Sequence, residues 1–208
     1  VATEITRHEP APAAPVVAAL TQSWDWVVVT SARTVTTLLD AGIDLPAHLG
    51  AARVAAAGPA TASALARAGV TVDLVASPGG GRALVAQFGA GPGRVLLPGA
   101  EAASAEPARG LAAKGWTVQD VPVYRTVAAD LPAPVVADWR AGRFDVLVVT
   151  AGSVARAAVR ACGLPGPRVV AIGASAAAAA RASGLEVAAV AARPDAAALV
   201  DAVLAALG

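Results

Sequence analysis

Asp25-Trp26-Val27-Val28-Val29-Thr30 is the stretch on which the fold turns. Four large apolar residues follow one another without polar alternation, so a strand built from them buries both faces. That is the pattern of a parallel sheet covered by helices on each side. Working outward, similar valine-rich runs are read as strands at 26–30, 53–57, 72–75, 95–98, 118–121, 145–150, 169–172 and 187–190. The Ala- and Leu-rich stretches between them are read as helices at 32–41, 60–68, 82–88, 102–114, 134–141, 154–161, 175–183 and 196–207. Strand and helix alternating at this spacing define an α/β fold.

The opening stretch occurs twice. Asp145-Val146-Leu147-Val148-Val149-Thr150 repeats it 120 positions on, and Arg168-Val169-Val170-Ala171-Ile172-Gly173 repeats Arg53-Val54-Ala55-Ala56-Ala57-Gly58 at a spacing of 115. Gly69 and Gly184 close the following helices at that same spacing of 115. A period this long is not that of a solenoid, so the chain reads as two similar domains, each a parallel sheet flanked by helices. The first domain is placed at 10–120 and inserted into the second, at 128–208. Segments 2–9 and 121–127 are then the two crossings, expected as a two-stranded connector that can hinge.

Composition narrows the classes. At about 100–200 residues per domain, 208 residues suit one large domain or two small ones. Sixteen basic and 15 acidic side chains leave a formal charge of +1, with no surplus to draw in nucleic acid or an acidic membrane. Mean hydropathy is +0.61, yet a membrane span needs about 20 apolar residues. The longest charge-free stretch, 10–24, is broken by Pro10, Pro12 and Pro15. The expectation is a soluble, cytoplasmic monomer. No cleavable signal sequence is read at the start, which opens at Val1 without Met.

Cys162 stands alone, which excludes an intrachain disulfide, and it reads as a small apolar helix residue rather than a reactive thiol. His8 and His48 are far apart, so neither a zinc site nor a Ser-His-Asp triad is expected. Pro78-Gly79-Gly80-Gly81 is not followed by Gly-Lys-Ser/Thr, and no G-x-G-x-x-G occurs, so nucleotide loops are excluded.

Several segments carry a family resemblance. Trp24-Asp25-Trp26-Val27-Val28-Val29-Thr30-Ser31-Ala32-Arg33-Thr34-Val35 is similar to the "DW-apolar-TS-x-x-x-V" segment of uroporphyrinogen-III synthases. Val54-Ala55-Ala56-Ala57-Gly58-Pro59-Ala60-Thr61-Ala62 resembles that family's "VGxxTA" turn, and Val121-Pro122-Val123-Tyr124-Arg125-Thr126-Val127 its "VxVYxTV" crossover. Phe144-Asp145-Val146-Leu147-Val148-Val149-Thr150-Ala151-Gly152-Ser153-Val154 and Ala171-Ile172-Gly173 repeat the first two in the second domain. Three features depart from the family pattern. The strand-helix unit that usually opens the second domain is not found before the first connector. Gly173-Ala174-Ser175-Ala176 carries alanine where a second threonine is common, and Ala100-Glu101-Ala102-Ala103-Ser104 lacks the basic residue expected after Gly99.

The resemblance implies one reaction: closure of linear hydroxymethylbilane to uroporphyrinogen III, with inversion of ring D and loss of water. It implies no metal, nucleotide or redox cofactor. The substrate bears eight carboxylates, which helix N-termini can hold through free N–H groups and partial positive charge. In parallel α/β sheets those termini lie outside the carboxyl ends of the strands, where ligands bind. The expected substrate contacts are Ser31, Arg33, Gly58, Thr61, Arg82, Gly99, Ser153, Gly173 and Ser175, lining one cleft if the two domains face each other. Ser31, Thr61 and Ser153 are read either as helix caps alone or as caps that also touch substrate. Arg33 and Arg82 either solvate the surface or grip carboxylates as planar forks.

Tyr124 is the candidate catalytic residue, giving a proton or hydrogen bond to the leaving hydroxyl; the other reading is a ring that packs the connector. The main work left to the protein is folding the linear chain for attack at the correct carbon. Two rival readings share the fold: a non-catalytic bilobal anion-binding module and an inactive synthase homologue.

Overall fold

The computed structural model describes residues 3–208. Trp26–Val29 forms strand β2, with all four residues buried. It pairs in parallel with β3 (Arg53–Ala56) on one edge and β5 (Arg94–Ala100) on the other. Its side chains alternate between two cores. Val27 and Val29 join Val35, Leu65 and Leu96 on one face, while Trp26 and Val28 join Leu84, Phe88, Val95 and Leu111 on the other. The unbroken valine run therefore means what it suggested, a strand buried on both faces.

With β1 (Thr6–Pro10), β4 (Leu74–Val75) and β6 (Thr117–Ala128), the sheet has the order β1-β6-β5-β2-β3-β4. Helices α1 (Ala13–Leu20), α2 (Ala32–Asp40), α3 (Leu45–Leu49) and α4 (Pro59–Arg67) supply the Val27 face, and α5 (Gly81–Gln87) and α6 (Glu106–Ala113) the Trp26 face.

A second sheet has the parallel order β7-β8-β9, from Val146–Val149, Arg168–Ala171 and Val187–Val190. Its core gathers Trp139 of α7 (Ala133–Arg140), Ala155, Ala158 and Cys162 of α8 (Gly152–Cys162), and Ala177 and Ala180 of α9 (Ala174–Ala182). Helix α10 (Ala196–Leu207) ends the chain. The duplication extends to register. Trp26 faces Arg53 and Val27 faces Val54 in one sheet, as Val146 faces Arg168 and Leu147 faces Val169 in the other. The α/β class with two similar sheets, read from the sequence, stands.

By contacts the chain divides into His8–Arg125 and a second unit of residues 3–7 with Thr126–Gly208. The chain thus passes between them twice, once along β1 and once along β6. Ala11 N donates to Val123 O at 2.8 Å and Ala129 N to Ile5 O at 3.0 Å. Partner numbers rise on one strand as they fall on the other, so β1 and β6 run antiparallel. Arg125 Nη2 lies 2.8 Å from Glu9 Oε2. Ala2, the first residue of the expected connector, lies outside the described residues.

The two-stranded connector expected from 2–9 and 121–127 is present as the β1–β6 pair, and the expected strand 118–121 runs into it without a break, because Val-Pro-Val-Tyr-Arg-Thr-Val carries on the β-branched and aromatic pattern. Two local expectations need correction. The proline-rich start is a helix: Pro12 is the N-cap of α1, and prolines in a first turn have a fixed φ suited to it and lose no helical bond. Pro46 does the same for the short α3, whose Asp44 N-cap accepts from Ala47 N. Finally, α6 begins at Glu106 rather than 102, since 101–105 form a turn.

Asp195 caps α10, accepting from Ala198 N at 2.8 Å and facing Arg193 Nε at 2.9 Å. The Ala198 amide, and then Arg193, hold its carboxyl below the ordinary value of 3.8. Because the folded-state value is lowered, the stabilisation is present above the unfolded carboxylate value and is lost as pH falls through the folded one. Acidification below about pH 4 is therefore expected to fray α10 first. Asp195→Asn should keep the cap but flatten that dependence, read by hydrogen exchange at the Ala198 amide. An unchanged acid profile in the variant would assign the fraying to other groups.

Candidate functional site

In the unit His8–Arg125 a cavity of about 430 Å³ opens where β2 and β5 end and β6 passes. Its wall includes Thr30, Leu97, Gly99, Ala100 and Glu101, with Gly81 of α5, Ser104 and Glu106 at the start of α6, and Asp120 and Pro122 of β6. The carboxyl ends of parallel strands are where such sheets bind ligands. Glu101 N donates to Tyr124 O at 2.8 Å and Glu106 N to Ser104 Oγ at 3.2 Å, fixing the turn. Glu106 also receives Arg82 Nε at 2.9 Å. Partial burial in the wall raises the Asp120 carboxyl above its ordinary range. Three carboxyl groups line the cavity and no basic side chain does.

In the other unit a smaller cavity, about 150 Å³, is lined by Thr6, Thr126, Val127, Ala128, Ser153, Arg156, Ala157 and Arg160. It lies beside the first turns of α8, whose N-cap, Ala151, provides no side-chain hydrogen bond. Gly152 brings that turn close to its neighbours: a Cβ there would stand 2.7 Å from Ala179 Cβ and 3.1 Å from Arg156 Nη1.

The sequence-derived residues divide between these places. Gly99 lines the larger cavity and Ser153 the smaller. Ser31 is the N-cap of α2 and accepts from Arg33 N at 3.1 Å, as expected. Thr61 and Ser153 do not cap: the caps are Gly58 and Ala151, neither with a side-chain hydrogen bond, and Thr61 is buried inside α4 instead. A threonine three positions after the cap sits past the amides a side chain can reach from the N-cap. Gly173 caps α9 with extended backbone, and Ser175 follows in its first turn. A Cβ at Gly58 would stand in ordinary contact with the neighbouring loop, 3.6 Å from Gly79 Cα.

Arg82 is an exposed partner of Glu106. Tyr124 is buried in the Val27-face core, 7% exposed, with the His8 ring edge-on at 5.3 Å, and it is not among the residues lining the larger cavity. Burial raises the Cys162 thiol, consistent with its packing role. Residues that sequence reasoning did not single out for the cavities are Glu101, Asp120, Arg156 and Arg160. The only sequence signal among them is the four-residue spacing of the two arginines.

Among the described residues, no group of three His, Cys, Asp or Glu is placed to hold a metal ion, and no helix is long and apolar enough to cross a membrane.

Largely parallel sheets flanked by helices, with small residues in the turns that follow their strands, define an α/β protein. The chain belongs to the uroporphyrinogen-III synthase family: the family model described as Uroporphyrinogen-III synthase HemD matches residues 3–201. Members are enzymes of tetrapyrrole and heme biosynthesis. Among solved structures, a mutant uroporphyrinogen III synthase from the extremely thermophilic bacterium Thermus thermophilus has a TM-score of 0.70 at 22% identity, over 98% of this chain and 87% of that one. The uroporphyrinogen-III synthetase of Helicobacter pylori has 0.72 at 18% identity, over 97% and 90%. Another structure of the Thermus thermophilus enzyme has 0.58 at 25% identity, over 100% and 87%. No curated protein matches the chain.

Proposed function

We propose that the protein closes hydroxymethylbilane to uroporphyrinogen III, inverting ring D with loss of water. The observation that carries this reading is the family match, which runs through both sheets from residue 3 to residue 201. The chemistry of the larger cavity is compatible with it. Loss of the terminal hydroxyl leaves a cationic pyrrole methylene, and pyrrole N–H groups are donors. A wall bearing Glu101, Glu106 and Asp120 offers acceptors and negative charge for such a species, and disfavours the substrate's own carboxylates. Those carboxylates fit better at the other strand-end turns: Ser31, Arg33, Gly58 and Arg82 in one unit, Ser153, Gly173 and Ser175 in the other, with Gly99 on the acid-lined wall and Thr61 packed inside α4.

The test is incubation with hydroxymethylbilane and separation of type I from type III isomers. Type III product is expected; type I alone, at the spontaneous rate, would refute the reading. Tyr124 as proton donor is examined in the same assay. Tyr124→Phe should lower turnover by about 10²-fold if the hydroxyl acts as a general acid, with no fall in melting temperature. Wild-type rates would assign Tyr124 to packing alone. The protein is proposed to act as a cytoplasmic monomer.

A further inference from the structure

Helix α8 carries Arg156 and Arg160 one turn apart, and both line the 150 Å³ cavity. Like charges at this spacing repel and weaken a helix unless something neutralises them. Among the described residues nothing does: neither guanidinium makes a hydrogen bond or ion pair with any of them, and no acidic side chain lines the cavity. The guanidinium groups of Arg33, Arg67, Arg109 and Arg181 are equally without such a partner among the described residues, so what sets this pair apart is its shared place on one cavity. Several of the remaining arginines are engaged. Arg82, Arg125, Arg143 and Arg193 each face a carboxylate, and Arg140 and Arg168 donate to carbonyls.

The cavity is shaped around the pair. Gly152 lies against α9, where a Cβ would stand 2.7 Å from Ala179 Cβ, and also beside the Arg156 guanidinium, 3.1 Å from its Nη1. Ala157, buried between the two arginines in sequence, lines the cavity without adding bulk. Two planar forks beside one small concavity match the bidentate geometry of a carboxylate.

We infer that Arg156 and Arg160 form a carboxylate clamp that holds one acidic side chain of the ligand. The inference rests on the proposed function for the identity of that ligand, an octacarboxylic tetrapyrrole. It assigns to the second unit an anion subsite of side chains, distinct from the main-chain turns. The acid-lined cavity of the first unit would then receive the pyrrole framework rather than its carboxylates.

The probe is uroporphyrin III, compared with its octamethyl ester and with inorganic phosphate, bound to the full chain and followed by porphyrin fluorescence. The free acid should bind more tightly than the ester, and Arg156→Gln and Arg160→Gln should each weaken it about tenfold, as expected for a charged hydrogen bond. Arg156→Lys and Arg160→Lys should recover only part of that loss, since an ammonium keeps the charge but not the fork. With hydroxymethylbilane the same Gln variants should raise KM. Folding is checked by circular dichroism melting. Unchanged affinity in the folded Gln variants overturns the clamp, as does equal binding of acid and ester, or competition by phosphate that leaves the acid no tighter than phosphate. Absence of type III product from the wild-type chain while the acid-over-ester preference and its loss in the Gln variants persist would refute the proposed function but not the clamp.

Discussion

Leu96→Ala is expected to lower the unfolding free energy by about 2–5 kcal/mol, the range for emptying a fully buried leucine site. Leu96 has no exposed surface and sits in β5, between β2 and β6, opposite Val27 and Gln119. It belongs to the cluster with Val27, Val29, Leu65, Val121 and Val123. Two paired strands hold its backbone in place, so the surrounding residues have little freedom to collapse into the space. The effect combines lost transfer free energy with a retained cavity. Urea titration reads it as a lower midpoint at constant slope. A loss under about 1 kcal/mol would show that the sheet can close around the gap.

Gly91→Ala is expected to cost about 3 kcal/mol, at the upper end of overpacking effects. A Cβ at Gly91 would overlap the Gly115 carbonyl oxygen and stand 2.6 Å from its carbon and 3.1 Å from Trp116 N. Those neighbours are backbone, which cannot rotate aside. They are also tied down. Gly91 N donates to Lys114 O at 2.8 Å, Lys114 Nζ donates to Phe88 O at 2.5 Å, and Trp116 Nε1 donates to Gly89 O at 2.9 Å. Relieving the overlap means breaking this clasp. The same titration measures it, and faster exchange of the Gly91 amide should accompany the loss. Wild-type exchange at that amide would rule out strain as the cause.

The sequence was most legible where one physical requirement dominated. Burial of both faces leaves an unbroken apolar run in β2, which made it visible with its partner β3; β7 was found through the repeat, although its own run leaves Val148 exposed and only one face fully buried, against the expectation of two. Legibility failed where one residue type serves opposite ends of an element. Pro12, Pro15 and Pro46 look like interruptions but belong to helix starts.

Capping was read from residue type alone, and it held for Ser31 but not for Thr61, because the chain enters that helix at Gly58. The cavity walls were the least visible. Asp120 directly precedes the Val121–Val127 motif and Glu101 lies in the Ala100–Ser104 stretch, but that both line one cavity follows only from β5 and β6 pairing side by side. The Arg156–Arg160 spacing was in plain view, but without the concavity next to it two arginines on a helix read as solvated surface.

The antiparallel pairing of β1 with β6 also sets an order of events during synthesis. Ile5 O accepts from Ala129 N, so the earliest described residues find their partner only after all of His8–Arg125 has left the ribosome. At about 5–20 residues per second that delay is on the order of ten seconds. Over that interval the inserted unit has its whole sequence available while its host waits with one strand unmatched. The guest is then the first unit able to finish folding, and its adjacent ends deliver the host's two pieces to each other.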